Sequence, residues 1–214
     1  AKNIWGIGTQ HGIRHWDGCA WSTSFDNGST SYRNIWGSSE KDVWAVGYKG
    51  ATAHWDGSQW RSIPSNTANT LTGVWCSSGS DAWAVGEQGT ILHWNGTGWS
   101  PASGISAMGQ FKGVWGSAAN DVWVVGSTIL HWDGTAWTEA ANGIAPNFTL
   151  NSVFGTSSAD VWAVGRGAKD SVFHRMGNAW VAVDSGISAD LYDIWRSPTG
   201  DIWTVGYNAI LHHP

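Results

Sequence analysis

The sequence predicts an all-β fold of short repeated sheets, and three observations predict it. One segment, Asp81-Ala82-Trp83-Ala84-Val85-Gly86 followed after a turn by Thr90-Ile91-Leu92-His93-Trp94-Asn95-Gly96, returns in six versions. Its first tryptophan falls at Trp5, Trp44, Trp83, Trp123, Trp162 and Trp203, in steps of 39, 39, 40, 39 and 41 residues, with a histidine in register at His15, His54, His93, His131, His174 and His212. The apolar runs are short, about 4–6 residues, alternate in polarity and are bounded by Gly, Asn, Asp and Ser, as strands in hairpins are. No 11-residue window carries a helical stripe. Four strands every ~40 residues make one blade of a β-propeller.

Each repeat reads as four strands, a to d. Strand a is an apolar run closed by an aromatic: Asn34-Ile35-Trp36, Gly73-Val74-Trp75, Gly113-Val114-Trp115, Ser152-Val153-Phe154 and Asp193-Ile194-Trp195. A Gly/Ser-rich link such as Gly37-Ser38-Ser39-Glu40-Lys41 follows it. Strand b is Asp-x-Trp-x-Val-Gly, strand c carries the His-Trp pair, and Asp-Gly or Asn-Gly turns the chain into strand d with Trp21, Trp60, Trp99, Trp137 or Trp180. Residues 3–21 supply b, c and d without a, and residues 191–212 supply a, b and c without d. The simplest count is a single propeller domain over residues 1–214 with six blades, the first and last incomplete. Five blades, with Trp21's strand completing the last, and part of a larger or oligomeric propeller stay open as alternatives.

The layout resembles WD-type blades, with strand c ending in Trp16-Asp17, Trp55-Asp56 and Trp132-Asp133. It is still more similar to the tryptophan-rich bacterial propeller repeats that read D-V-W-A-V-G, then G-T-I-L-H-W-D-G, then a tryptophan. That resemblance covers nearly the whole chain and implies the fold. It implies little about activity, since such repeats recur in proteins of many roles.

Six histidines in register invite a metal ring, but hairpin geometry gives them another task. Pairing Gly47 with Ala51 sets Trp44 opposite His54, and a register shifted by one sets Val43 there instead; in either, Asp42 lies close. The same spacing places Asp81 near His93, Asp121 near His131, Asp160 near His174 and Asp201 near His212. An imidazole donating to a carboxylate satisfies two half-buried groups and pins each hairpin. Asn3 replaces the aspartate in the first repeat, and His11 and His213 fall outside the register.

All 19 tryptophans fall in register, four on a, six on b, four on c and five on d. Indoles on strand b fill the space between packed sheets. Strand d is outermost, so its rings are expected to leave a face partly open, where a sugar could stack. Trp21, Trp60, Trp99, Trp137 and Trp180, with Tyr48 and Glu87 from the b–c turns, form the candidate binding set. Arginine does not recur in step with the blades, which argues against a site built on a repeated guanidinium. The b–c turns (residues 48–50, 87–89, 166–170) and d–a connections (24–29, 140–146) differ most and emerge together at one end of the strands, as binding loops do.

The composition bounds the rest. With 13% charged residues and a net charge of -5, the chain lacks the basic surface a nucleic acid needs. No apolar run is long enough for a membrane helix. Cys19 and Cys76 form no metal-type pair, and no nucleophile–base set or phosphate-cradling loop can be argued from spacing. The expected function is therefore non-catalytic binding without a cofactor or metal: a lectin-like, carbohydrate-binding propeller, secreted or extracellular. The alternative is a structural or protein-interaction scaffold, including one that self-associates through open strand edges into a homo-oligomer.

Overall fold

The computed structural model describes residues 3–8, 12–26, 28, 30–105, 109–140, 144, 148–166, 171–197 and 200–213. His11 and most of the 140–146 and 166–170 loops lie outside them. Six antiparallel sheets follow one another along the chain. The first holds β1 (Ile4–Ile7), β2 (Ile13–Trp16) and β3 (Trp21–Phe25), and the second β4 (Tyr32–Ser39), β5 (Asp42–Gly47), β6 (Thr52–Trp55) and β7 (Trp60–Ser62). The third holds β8 (Leu71–Ser78), β9 (Asp81–Gly86), β10 (Ile91–Trp94) and β11 (Trp99–Pro101). The fourth comprises β12 (Phe111–Ala118), β13 (Asp121–Gly126), β14 (Ile129–Trp132) and β15 (Trp137–Glu139). The fifth comprises β16 (Thr149–Ser157), β17 (Asp160–Arg166), β18 (Val172–Met176) and β19 (Ala179–Val183), and the sixth β20 (Leu191–Arg196), β21 (Ile202–Gly206) and β22 (Ala209–His213). These are propeller blades, six in number with the first and last three-stranded, as the repeat predicts. Trp21's strand β3 pairs with β2, which sets the five-blade count aside. The chain divides into two compact units, residues 1–103 and 104–214, of three sheets each.

Strand a runs further than its apolar core. β4 extends through Gly37-Ser38-Ser39, with register shifts at Tyr32/Asn34 and Gly37/Ser39, and β8, β12 and β16 repeat the pattern. The Gly/Ser stretch expected as a link is paired backbone, because a bulge absorbs the extra residue and keeps the ladder going.

In the second to fifth sheets strand b is buried on both faces, and its alternation sorts large from small. In the first unit, Val43 and Ala45 of β5 pack toward Ile13 and Phe25 of the first sheet. Trp44 and Val46 point the other way, into a cluster with Ala82, Ala84, Leu92, Trp94 and Trp99 of the third sheet. A bulky indole on one sheet thus rests on small side chains of the next, which fills the gap at close-packed density.

The glycine ending strand b has a steric cause. A Cβ on Gly86 would stand 2.2 Å from the Thr70 carbonyl oxygen, and on Gly47, Gly126, Gly165 and Gly206 it would lie 2.0–2.2 Å from the equivalent carbonyl. The next residue's amide donates to that same carbonyl, as Tyr48 does to Ser31 at 3.1 Å and Glu87 to Thr70 at 3.0 Å. The c–d turns close as the Asp-Gly signal predicts: the Asp56 carboxylate accepts amide hydrogens from Ser58 and Gln59 at 2.9 and 3.0 Å. The Ser58 hydroxyl and those amides hold the Asp56 carboxyl down at about 2.

Candidate functional site

The most regular chemistry in the molecule is a polar–aromatic cluster repeated in every blade. His54, His93 and His131 lie 2.6, 2.7 and 2.6 Å from Asp42, Asp81 and Asp121. His174 and His212 lie 3.1 and 3.0 Å from Asp160 and Asp201, and in the first blade His15 meets Asn3. Each imidazole also stacks on the strand-b tryptophan directly across the ladder, with centroids 3.9–4.4 Å apart in all six blades. The Asp–His pairing follows the sequence expectation.

A third member went unread in the sequence. Ser38, Ser77, Ser117, Thr156 and Ser197 donate their hydroxyls to the second oxygen of the same aspartates. Each stands four residues before its aspartate, and that in-step hydroxyl is the signal that could have found it. The order is hydroxyl to carboxylate to imidazole. The serine therefore does not face the histidine as a nucleophile faces its base, and the cluster works as a clasp.

Burial alone would raise the Asp42 carboxyl, but hydrogen bonds from His54 and Ser38 outweigh it and hold the group below its ordinary value. The same opposition, with His93 and Ser77 as donors, holds Asp81 down. At Asp160 the bonds from Thr156 and Trp162 and the charge of Arg196 win over burial. A carboxyl depressed in the folded state adds stability that is present above its unfolded value near 4 and drains away as pH falls through the folded value. Denaturation midpoints measured from pH 7 to pH 3 should therefore fall on acidification. Asp42→Asn/Asp81→Asn/Asp160→Asn should flatten that slope while keeping the fold, since Asn3 already fills this position in the first blade.

The seven residues of the candidate binding set are not brought together. The ring of Trp60, expected to be partly open, is 7% exposed, and Trp99, Trp137 and Trp180 are equally buried; only Trp21 is open, at 52%. The cause is that a strand-d ring turns toward the strand-b tryptophan of the preceding blade. Trp60 packs edge-on to Trp5 at 5.2 Å, Trp99 to Trp44 at 5.1 Å and Trp180 to Trp123 at 5.6 Å. Tyr48 lies at the opposite end of its blade, exposed, with Arg33 stacked over its ring at 5.0 Å and donating to its hydroxyl at 3.2 Å. Glu87 spends its backbone on the turn, its carbonyl accepting from Thr90. The turn and d–a loops do meet at one end: Ser65 donates to the Gly50 carbonyl at 2.5 Å, Asn69 to Thr90 at 2.9 Å and Arg166 to Asp190 at 2.9 Å.

A different surface stands out. On the sixth sheet Trp195, Trp203, Val205 and Ile210 are 51, 39, 44 and 72% exposed. Their register counterparts on the fourth, Trp115, Trp123, Val125 and Ile129, are 5, 2, 0 and 1% exposed. Tyr192 on β20 and Tyr207 in the β21–β22 turn are also exposed. Sequence alone missed it, because the repeat treats these positions as core in every blade.

No family model and no curated protein sequence matches the chain. Solved structures do. A structure described as YCF48 bound to D1 peptide superposes with a TM-score of 0.64 at 17% identity, covering 86% of this chain and 64% of its own. YCF48 from Cyanidioschyzon merolae superposes with a TM-score of 0.71 at 16% identity, covering 99% of this chain and 79% of its own. The chain thus spans less than two thirds of the first of these, and at such identities the likeness is one of fold: this chain is a β-propeller.

Proposed function

We propose that the chain is a non-catalytic protein-interaction propeller whose contact surface is the open face of the sheet β20–β22. The observation that carries the reading is the exposure of Trp195, Trp203, Val205 and Ile210 where the same register positions elsewhere are core. A contiguous aromatic and aliphatic patch of this kind marks a surface that another protein covers. The reading gains support from a structural neighbour described with a bound peptide. The strand-d indoles on which the carbohydrate reading depends are buried apart from Trp21, which leaves that reading the weaker.

Selection from a displayed peptide library should yield ligands that Ile210→Lys weakens at least about tenfold, because a charge in the middle of an apolar contact must be desolvated. A glycan array should stay silent. Saturable sugar binding that Trp21→Ala weakens, with no peptide ligand recovered, would reverse the assignment.

A further inference from the structure

The repeats serve as an internal template, and the second blade departs from it at two buried positions. The strand-c residue that faces the position before the strand-b glycine is Ile13, Ile91, Ile129, Val172 or Ile210 in the other blades. In the second blade it is Thr52. Strand a opens opposite the strand-b glycine with Leu71, Phe111, Leu150 or Leu191 elsewhere, and here with Tyr32. Thr52 is 3% and Tyr32 6% exposed. A hydroxyl taken out of water is costly unless it is bonded, so two of them at apolar positions of one blade mark a local task. Both line the same cavity of ≈570 Å³, a size that suits a small molecule.

The cavity lies between the b–c turn and the d–a loop of the second blade, and its walls are tied in place. The Thr52 hydroxyl donates to the Ile63 carbonyl at 2.5 Å, and the Ile63 amide returns a bond to the Thr52 carbonyl at 3.1 Å. Ser65, also buried, holds the loop to the Gly50 carbonyl. Walls fixed in advance leave little ordering to be done when a ligand enters. Tyr32, Ser62 and Lys49 take no part in this tying. Burial pushes the Tyr32 phenol up to about 12 although the Ser62 hydroxyl bonds to it, so the phenol stays neutral and keeps its proton. Lys49 is exposed, in the left-handed region at φ 53°. Among the described residues lining the cavity it carries the positive charge alone, and no carboxylate stands beside it. Ala51, Ile63 and Pro64 supply an apolar side.

From the departure and the lining together we infer that this cavity binds a small hydroxylated monocarboxylate. One ammonium matches one negative charge, whereas a phosphate ester brings about -1.5 to -2 and would leave charge without a partner. The Tyr32–Ser62 hydroxyl pair both donates and accepts, which suits a hydroxyl on the ligand. Ile63 and Pro64 cover a short alkyl chain. The inference does not rest on the protein-interaction reading, and it concerns a different blade from the open face.

The test titrates the full chain with α-hydroxyisocaproate, a branched hydroxy acid, and follows amide chemical shifts by NMR. Saturable shifts are expected at Gly50, Ala51 and Thr67, with a Kd of about 1 mM or tighter. The matched neutral amide, α-hydroxyisocaproamide, should bind at least about tenfold more weakly to the unaltered protein, and Lys49→Met should weaken the acid by a similar factor. Tyr32→Phe keeps a ring of the kind Phe111 places in the fourth blade, and should cost about threefold or more. Tyr32→Leu/Thr52→Ile, which gives the second blade its neighbours' residues, should abolish the shifts while near-ultraviolet circular dichroism stays native. No saturation up to about 20 mM, or equal binding of acid and amide, overturns the inference. So does binding undiminished by a folded Lys49→Met protein or by the folded double variant. Displacement of the acid by an equal concentration of inorganic phosphate also overturns it, in favour of an unselective anion site. The peptide selection and Ile210→Lys remain a separate measurement, so either reading can fail without the other.

Discussion

Trp44→Ala should be among the most damaging single substitutions in the chain, costing about 3–5 kcal/mol. Trp44 is fully buried, stacks on His54 with centroids 4.2 Å apart, and meets Trp94 and Trp99 at 5.0 and 5.1 Å. Removing it takes an indole's contacts from two sheets at once, and neither sheet can relax far into the gap, because the ring sits on strands whose backbones are paired on both sides. The His54–Asp42 clasp also loses the surface that orients it. Urea denaturation of wild type and variant measures the loss. Trp203→Ala is the informative comparison: it deletes the same ring in the same register, but its ring is 39% exposed and should cost less than half as much. Equal losses at the two sites would show that packing between sheets is not what the strand-b indole supplies.

Gly86→Ala should rival it, at about 3 kcal/mol, although one methyl is added and nothing is taken away. The new carbon would sit 2.2 Å from the Thr70 carbonyl oxygen, backbone that cannot swing aside as a side chain could. To make room, strand a must separate from the end of strand b, and the Glu87–Thr70 hydrogen bond at 3.0 Å goes with it. Gly98→Ala is the matched control, since a Cβ there meets nothing within 4 Å. Thermal denaturation of the two variants should differ by roughly 6 °C or more. A Gly86→Ala protein as stable as Gly98→Ala would mean that the closeness of that carbonyl has been misjudged.

These two sites also show what a sequence can and cannot disclose here. The Asp–His clasp was legible because it is local: a tight turn with fixed glycine spacing sets the register, and two-residue alternation does the rest. The hydroxyl that completes the clasp was equally local and equally periodic, but it lay in a stretch that composition marks as a link. Burial of Trp60, Trp99 and Trp180 was not legible, because it depends on which neighbouring sheet a ring turns toward, and no spacing within a repeat encodes that. The same blindness hid the open face: Trp195 and Trp203 obey the repeat rule as faithfully as Trp115 and Trp123. Only the presence or absence of a covering layer separates them.

The division of each strand b into a bulky side and a small-residue side gives the stacking of blades a direction. A duplicated ~40-residue segment arrives with both mating surfaces already made, one to receive an indole and one to offer it. Growth by copying therefore needs no new interface to evolve. The positions on which a neighbour's ring lands, Ala45, Ala82 and Ala84 among them, stay within Gly, Ala, Val, Thr and Ile across the six repeats.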